Sequence, residues 1–438
     1  MKTYSFHYGD QMIDCRLDEK RIIGELHMAE TPVIEDPEAA IKEALAHPID
    51  SKPFKELFKA GETVAIIAND TTRIANTHVF MPIILDELNE VGIPDENIKI
   101  VFALGTHRDM TEAEMISEVG MEAAGRVAMY NSSAKKKEDF VHVGTTSFGT
   151  DVWLNRHVVE ADHIICTGSV VHHFFAGFGG GRKAILPGVA SYETIRQNHS
   201  LMLDDKATLG HLEGNPIYDD QMEGVAMCPP TFLLNVVLNG EKEFTGVFAG
   251  HYISAHKAAC DFVNSQNGVV IERQAPIVIA STGGYPKDIN IYQSQKTMDN
   301  AVRAVAPGGV VILLAECREG SGSPIFDQTV NDFHSIQAIE DSVRHDFQIG
   351  RHKAYAVTRL MKKADFYLMS SLDDDYARKA FFTPVHSLEE ALKLAEAKLG
   401  NDAEILLMPH GSYTVPILKI SKIDAVYGFL RKLNTQYS

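Results

Sequence analysis

The feature that most constrains the fold of this 438-residue chain is the alternation of short β-branched runs with longer amphipathic segments. The short runs predict strands, and the segments between them have the periodicity of helices. Strands that alternate with helices build βαβ units, whose strands lie parallel in one sheet. The pattern therefore predicts an α/β fold with mostly parallel sheets. The predicted strands are 63–68, 98–103, 163–167, 276–280, 310–315, 366–369 and 404–408, and the predicted helices include 78–90, 111–119, 192–203, 293–304 and 388–398.

The chain is too long for one ordinary hydrophobic core, so two α/β domains are predicted. Their boundary is placed near 272–274, just before Pro276 begins a new strand, which gives domains over 1–273 and 274–418. In the final segment, 419–438, residues 421–433 have the pattern of a helix with one apolar face. From the pattern alone, that helix could pack on either domain.

The composition disfavours several classes of protein. A net charge of −18 repels phosphate backbones and anionic lipids, so neither nucleic acid nor a membrane is an expected partner. No stretch approaches the roughly 20 apolar residues of a membrane span, and no apolar run follows Lys2 as it does in a secretory signal. The five cysteines form no CxxC pair, which indicates reduced thiols. A cytoplasmic protein is expected, and its 19 histidines favour acid–base or metal chemistry.

Polar and glycine-rich loops follow the carboxyl ends of four predicted strands. They are 70–73, 105–108, Gly168 with the histidines after it, and 283–284. Ligands of open α/β sheets bind beyond these strand ends. Because the loops come from both predicted domains, one active site in a cleft between the domains is expected.

The richest loop contains three consecutive glycines followed by Arg182 and Lys183. Backbone N–H groups of such glycines can hold a phosphate, and a lysine directly after them can reach the same ligand. The loop is neither a P-loop nor a dinucleotide fingerprint, because Arg182 stands where each motif needs a glycine. The alternative is a flexible loop with a solvated Arg–Lys pair. The three glycines are Gly179, Gly180 and Gly181.

Four histidines lie in or near these loops: His107, His172, His173 and His199. His107 can act as a general base, because an imidazole pKa near 6.5 suits proton transfer at neutral pH. His172 and His173 are adjacent, so an extended segment points them to opposite sides. His199 falls on a predicted helix. The alternative for each is a structural hydrogen bond or a place on the surface.

Two further groups suit a carboxylate ligand. Arg73 after a strand can hold a carboxylate in its bidentate fork, and Asp70 can orient that arginine or a histidine. The alternative is that Asp70 is a helix N-cap followed by a surface arginine. Tyr292, Gln293 and Lys296 begin a predicted helix, where the amide of Gln293 and the ammonium of Lys296 share a face. The alternative there is a solvated helix face.

Together these segments resemble the nickel-dependent lactate racemase family. Ile74 departs from the family pattern, which has a proline at that position, and the similarity continues through 408–416. The resemblance spans about half of the chain and implies a racemase or epimerase acting on lactate or a related 2-hydroxy acid. The residues that carry it are Asp70-Thr71-Thr72-Arg73, the Gly-Thr-His at 105–107, His173 ten residues before Lys183, the Gly-Gly-Gly-Arg-Lys-Ala-Ile-Leu-Pro-Gly run at 179–188, His199, and the segment from Gly283-Gly284-Tyr285-Pro286 to Lys296.

The resemblance also implies a cofactor. Lys183 is implied to carry, through a thioamide, a nickel-pincer pyridinium mononucleotide, with His199 as a nickel ligand. The amides of the glycine loop are implied to bind the cofactor's phosphate. Enzymes that make the cofactor are implied partners, and the helix in 419–438 is implied to pack back on domain 1–273.

For the substrate, the resemblance implies inversion of the α-carbon by proton-coupled hydride transfer. His107 and His173 are implied to be the two bases on opposite sides of the substrate. The remaining implied roles are the carboxylate grip by Arg73 and Lys296, with Gln293 and Tyr292 beside them, and the orienting role of Asp70.

The residues alone leave two other functions open. One is a zinc-type metalloenzyme in which His107, His173 and His199 bind the metal without an organic cofactor. The other is a non-catalytic two-domain protein that binds a carboxylate or a nucleotide. A zinc enzyme leaves Lys183 unmodified, and a binding protein tolerates glutamine at His107 and His173.

Overall fold

The computed structural model describes residues 1–29 and 31–419 of the chain. These residues form two compact units. The N-terminal unit spans residues 31–266, and the C-terminal unit combines Met1–Ala29 with residues 267–419. Each unit contains its own six-stranded sheet.

All the predicted strands are present, and the one predicted at 310–315 begins earlier, at Val305. The strands of the described residues are β1 (Lys2–Tyr8), β2 (Gln11–Leu17), β3 (Ile22–Glu25), β4 (Val64–Asn69), β5 (Ile98–Ala103), β6 (Ala128–Asn131), β7 (Phe140–Thr145), β8 (Asp151–Asn155), β9 (His163–Ser169), β10 (His172–His173), β11 (Gly177–Phe178), β12 (Phe232–Leu238), β13 (Phe244–Gly250), β14 (Gly268–Ile271), β15 (Ala275–Ser281), β16 (Val305–Leu314), β17 (Asp365–Met369), β18 (Thr383–Val385), β19 (Ile405–Met408) and β20 (Val415–Leu418).

The predicted helices are also present, because their apolar faces have the helical period and polar side chains cap their first turns. For example, Thr111 and Glu114 form a capping box at one of them. The helices of the described residues are α1 (Pro37–Ala46), α2 (Thr77–Glu90), α3 (Glu112–Val119), α4 (Met121–Ala124), α5 (Arg156–Val159), α6 (Tyr192–Ser200), α7 (Pro216–Ala226), α8 (Ser254–Asn267), α9 (Ile291–Ala304), α10 (Pro324–Asp332), α11 (Ile336–His345), α12 (Arg351–Thr358), α13 (Asp374–Lys379) and α14 (Leu388–Leu399).

The sheet of the N-terminal unit has the order β13-β12-β9-β4-β5-β6, and all neighbours are parallel except β12 and β13. The central strand β4 has no solvent exposure from Val64 to Ala68. Both of its faces are covered, as is usual for parallel sheets, which explains its unbroken apolar run. Because β9, β4 and β5 are neighbours and parallel, the loops after them leave from the same edge of the sheet.

The sheet of the C-terminal unit has the parallel order β18-β17-β16-β15-β19-β3. Residues 1–29 lie in this unit, although the sequence pattern predicts them in domain 1–273. The physical reason is that β3 pairs with β19, and the β1–β2 hairpin buries Tyr4 and Phe6 in the same apolar cluster as Ile277. The units also divide at 266/267, before the predicted boundary.

The predicted α/β class with mostly parallel sheets is confirmed. The predicted final helix, in 419–438, lies outside the described residues except for Lys419. Within 1–29 and 31–419, no helix combines the length and the apolar character needed to cross a bilayer.

Candidate functional site

The loops after β4 and β5 meet because these strands are neighbours. Nδ1–H of His107 donates to Oδ2 of the buried Asp70. The other oxygen of Asp70 accepts from the backbone N–H of Thr72 at 3.1 Å and from its hydroxyl at 2.7 Å. Burial raises the pKa of Asp70, but the hydrogen bonds from His107 and Thr72 outweigh it, so this pKa lies below its ordinary value. An ionised Asp70 therefore holds Nδ1 of His107 and leaves the lone pair of the neutral ring on Nε2.

The alternative in which Asp70 caps a helix is wrong. Helix α2 begins at Thr77 with Asn76 at its N-cap position, and Asp70 instead closes a tight turn onto Thr72. Arg73 is exposed in this turn, and its Nη1 donates to the carbonyl and the hydroxyl of Thr72, both at 3.2 Å. The loop thus presents a histidine and an arginine at the sheet edge.

More of the backbone N–H groups in the glycine loop donate to protein acceptors than the sequence predicts. The N–H of Gly179 donates to the carbonyl of Val171 at 2.7 Å, and the N–H of Gly181 donates to Oδ1 of Asn235 at 2.8 Å. Among the described residues, only the N–H of Gly180 in this trio donates no hydrogen bond. A phosphate on this loop would therefore bind the amide of Gly180 first.

Lys183 is half-buried in the short 3₁₀ helix Gly181–Ala184. In 1–29 and 31–419, its ammonium makes no hydrogen bond or ion pair. Burial lowers the pKa of Lys183 well below its ordinary value, and the positive charges of Arg182 and Arg73 lower it further. Its amine is therefore more often neutral, and thus nucleophilic, than that of a surface lysine.

Arg182 is not part of a solvated pair, because it is only 1% exposed. Its Nη2 donates to the carbonyl of Ala176 at 2.6 Å, its Nε donates to Oε1 of Gln221 at 3.1 Å, and its guanidinium lies 4.5 Å from the ring centre of Tyr218. Its buried Nη1 has no hydrogen-bond partner among the described residues. Burial lowers the pKa of Arg182 to about 10.

The adjacent histidines His172 and His173 have different partners. His172 contacts Oδ1 of Asn264 through Nε2 at 2.9 Å. The ring of His173 lies 4.5 Å from that of Phe175, centre to centre. His199, in the last turn of α6, lies 5.0 Å from the same Phe175 ring. Phe175 therefore brings His173 and His199 to one place.

Backbone hydrogen bonds join these loops into one site. The N–H of Gly105 donates to the carbonyl of Gly188, and the N–H of Gly188 donates to that of Lys183, both at 3.0 Å. The bond from Arg182 to Ala176 then ties the lysine loop to the segment that contains Phe175. The predicted site residues brought together in the N-terminal unit are Asp70, Arg73, His107, His173, Gly179, Gly180, Gly181, Lys183 and His199.

The three-histidine zinc site considered above is not formed. Among the described residues, no group of three or more His, Cys, Asp or Glu side chains is arranged to hold a metal ion. His107 is instead engaged by Asp70, while His173 and His199 pack on Phe175.

The other predicted site residues lie in the C-terminal unit, on α9. Tyr292, Gln293 and Lys296 are all exposed and share one face of its first turns. Asn290 begins the helix, because its side chain accepts from the N–H of Gln293 at 2.9 Å. The ammonium of Lys353 lies 4.0 Å from the ring centre of Tyr292. This face carries the cation, the amide and the hydroxyl expected of a carboxylate site.

Sequence reasoning missed the buried polar residues that support the site. These are chiefly Asn198, Gln221, Asn235 and His256. The only local signal was the position of Asn198 directly before His199. The other three lie 39 or more residues from the loop atoms they contact, so their role depends on the folded chain.

Comparison with known families gives two matches that together cover most of the chain. Residues 8–210 match the model described as the lactate racemase N-terminal domain. Residues 270–415 match the model described as the lactate racemase C-terminal domain. The two matched ranges fall one in each half of the chain.

Two relatives, both named lactate racemase, are similar over nearly their whole length. The protein from Thermoanaerobacterium thermosaccharolyticum is 33% identical over 420 residues, which cover 94% of this chain and 98% of the relative. The protein from Lactiplantibacillus plantarum is 31% identical over 421 residues, which cover 94% of this chain and 99% of the relative.

Solved structures agree with this similarity. The lactate racemase apoprotein from Thermoanaerobacterium thermosaccharolyticum superposes with a TM-score of 0.85 at 32% identity, covering 96% of this chain and 100% of that one. A protein from Thermotoga maritima superposes with a TM-score of 0.62 at 20% identity, covering 87% of this chain and 98% of that one. The second likeness concerns the fold alone.

Proposed function

Because the chain belongs to the lactate racemase family, we propose that it inverts the α-carbon of lactate or a closely related 2-hydroxy acid. The family predicted from the motifs is confirmed, and the chain is an isomerase of the racemase type. The observation that carries the proposed site is the half-buried Lys183, on a loop joined by backbone hydrogen bonds to the loop of His107.

The reaction sets the demands on the site. A racemase must treat two mirror-image substrates alike, so one base for each face is the simplest arrangement. The α C–H of a carboxylate is a very poor acid. A nickel-pincer nucleotide tethered to Lys183 supplies hydride transfer when bound, which avoids removing that proton.

The residues present fit this group. Lys183 offers an amine whose lowered pKa suits covalent attachment. His199 would offer one imidazole, a nitrogen ligand that suits nickel, and the pincer would bring its own donors. The N–H of Gly180 and the buried Nη1 of Arg182 are polar hydrogens that the described protein atoms do not use.

In this proposal, His107 and His173 take and return the proton of the substrate hydroxyl, one histidine for each enantiomer of the substrate. Asp70 keeps Nδ1 of His107 protonated, so that Nε2 is the atom that takes the proton. Arg73 and Lys296 hold the substrate carboxylate, with Gln293 and Tyr292 beside them.

The proposal includes a cytoplasmic location and dependence on separate cofactor-making enzymes. The location is supported by the cysteines, all five of which are free thiols.

The test is peptide mass spectrometry across Lys183, together with metal analysis and a chiral lactate assay. The protein is produced with cofactor-making enzymes in cells shown to activate a known family member. We expect a Lys183 adduct, bound nickel and racemisation, all lost in Lys183→Ala. Lys99→Ala, which removes a half-buried lysine of β5, is the control and should retain all three. Racemisation by a protein with unmodified Lys183 would contradict the proposal.

A further inference from the structure

We propose that Asn198 is a positioning residue that sets the tautomer of His199, so that Nε2 of His199 carries the lone pair that binds the metal. The inference rests on the proposed function, in which His199 is a nickel ligand. Asn198 is completely buried and directly precedes His199 on α6. Its side chain is a member of a buried hydrogen-bonded chain, and the ends of that chain decide its direction.

The chain of hydrogen bonds begins beside Lys183. Nε of Arg182 donates to Oε1 of Gln221 at 3.1 Å, and Nε2 of Gln221 donates to Oδ1 of Asn198 at 3.2 Å. Nδ2 of Asn198 then donates to Oδ2 of Asp220 at 2.7 Å and to the carbonyl of Ile217 at 3.2 Å. Asn198, Gln221 and Asp220 have no solvent exposure, so water does not compete for these bonds.

The two ends of the chain fix the orientation of both amides. A guanidinium can only donate, and a carboxylate can only accept. Asp220 is held in place by the hydroxyls of Thr146 and Thr150, both of which donate to it. Turning either amide around would put an NH₂ group against the N–H of Arg182, or a carbonyl against the carboxylate of Asp220. Buried mismatches of this kind are costly, so Oδ1 of Asn198 stays directed at Nε2 of Gln221.

The orientation of Asn198 then decides the protonation of His199. Nδ1 of His199 lies 3.2 Å from Oδ1 of Asn198. An amide oxygen only accepts, so this contact requires a proton on Nδ1. In a neutral imidazole the lone pair is then on Nε2. Histidines that bind metals commonly have their other ring nitrogen held in this way, which fixes both the tautomer and the ring orientation.

The same network connects the two attachment points of the proposed cofactor. Arg182 is the chain neighbour of Lys183, and Asn198 is the chain neighbour of His199. One rigid set of buried bonds therefore positions both the tethering lysine and the metal-binding histidine. The buried Arg182 therefore contributes to the position of both residues as well as to local packing.

The first experiment measures the tautomer of His199 in the apoprotein by ¹⁵N NMR of histidine-labelled protein. The signal is assigned by its loss in His199→Gln. We expect the proton on Nδ1 in the wild type and loss of this preference in Asn198→Ala. A proton on Nε2 in the wild type would overturn the inference. The wild-type measurement, which alone can overturn the inference, needs neither the cofactor nor a folded variant of Asn198.

The second experiment measures attachment of the cofactor to Lys183 separately from the binding of nickel. Asn198→Ala is produced with the cofactor-making enzymes beside a control, Asn155→Ala, which removes a buried asparagine that bonds Ser132 and His157 in the same unit. We expect the Lys183 adduct in both, with nickel affinity against a chelator lowered about 10- to 100-fold only in Asn198→Ala. Equal nickel retention in the two variants would overturn the inference. An adduct absent from the wild type would instead contradict the proposed function, and the tautomer of His199 would still decide the role of Asn198.

Discussion

Asp70 is buried while the side chain of its partner, His107, is 42% exposed, and this difference decides what each side chain can do. The carboxylate has three hydrogen bonds and a lowered pKa, so it stays ionised and holds the ring. The exposed ring keeps its Nε2 edge open to a ligand. From the sequence, Asp70 could orient either an arginine or a histidine, and the contact with His107 favours the histidine.

At this scale we expect Asp70→Asn to lower kcat about 100-fold, because an amide no longer fixes the proton on Nδ1 and a positioned base contributes at least this much. The Lys183 adduct should be unchanged, which is checked by mass spectrometry beside the chiral assay. An unaltered kcat would show that Asp70 does not position the base.

The same substitution has a predictable effect on stability. The native pKa of Asp70 is lowered, so its contribution to stability is complete above an ordinary aspartate pKa of about 3.9 and is lost as the pH falls through the native value. Wild type and Asp70→Asn should therefore differ most in free energy of unfolding at neutral pH and converge on acidification.

At the scale of elements, the glycine loop is a connection built for close packing. Gly180 and Gly181 have φ angles of +71° and +55°, which side chains rarely adopt. A Cβ on Gly181 would lie 2.5 Å from Cγ of His256. The loop therefore combines positive φ angles with a neighbouring side chain that leaves no space for a Cβ. The 3₁₀ helix Gly181–Ala184, which contains Lys183, begins in this loop.

We expect Gly181→Ala to destabilise the protein more than Gly61→Ala does. Both positions have positive φ, but a Cβ on Gly61 meets nothing within 4 Å. The difference in free energy of unfolding, measured with urea, should be about 1–3 kcal/mol, the usual cost of overpacking. Gly181→Ala should also lose the Lys183 adduct. Equal destabilisation by the two substitutions would mean that the side chain of His256 moves away at little cost in free energy.

At the scale of the whole molecule, His256 makes stability depend on pH. It is 3% exposed and donates from Nε2 to the carbonyl of Gly179 at 2.9 Å. Burial, assisted by the positive charge of Arg182, lowers the pKa of His256 to about 3. An unfolded histidine titrates near pH 6.5, so below that pH the unfolded chain binds a proton that the native chain does not. Acidification from neutral pH therefore favours unfolding.

We expect the free energy of unfolding to fall by about 1.4 kcal/mol per pH unit through this one group between pH 6 and pH 4. His256→Gln keeps a donor for Gly179 and removes the titration, so its pH dependence should be shallower by that amount. His47→Gln, at an exposed histidine of the same unit, is the control. Urea unfolding at several pH values measures the slopes, and parallel slopes for all three proteins would contradict the assignment.

The amino-acid sequence by itself determined the main strands and helices of the two sheets' βαβ units, the class of fold and the family, and it supplied the candidate site residues. Strand and helix patterns depend on the local spacing of apolar side chains, and the motifs are contiguous, so both can be read without a fold. The positions of the polar loops after predicted parallel strands also predicted that His107 and the histidines after Gly168 would lie at one sheet edge.

The tertiary structure alone decided the rest. It placed residues 1–29 with the C-terminal unit, buried Arg182, engaged the amides of Gly179 and Gly181, and joined Asn198 to Gln221 and Asp220. Apart from the bond between Gly179 and Val171, which are close in the chain, these features depend on hydrogen bonds or strand pairings between residues at least 22 positions apart. A local pattern contains no signal for such contacts, because burial and orientation exist only once distant segments have packed together.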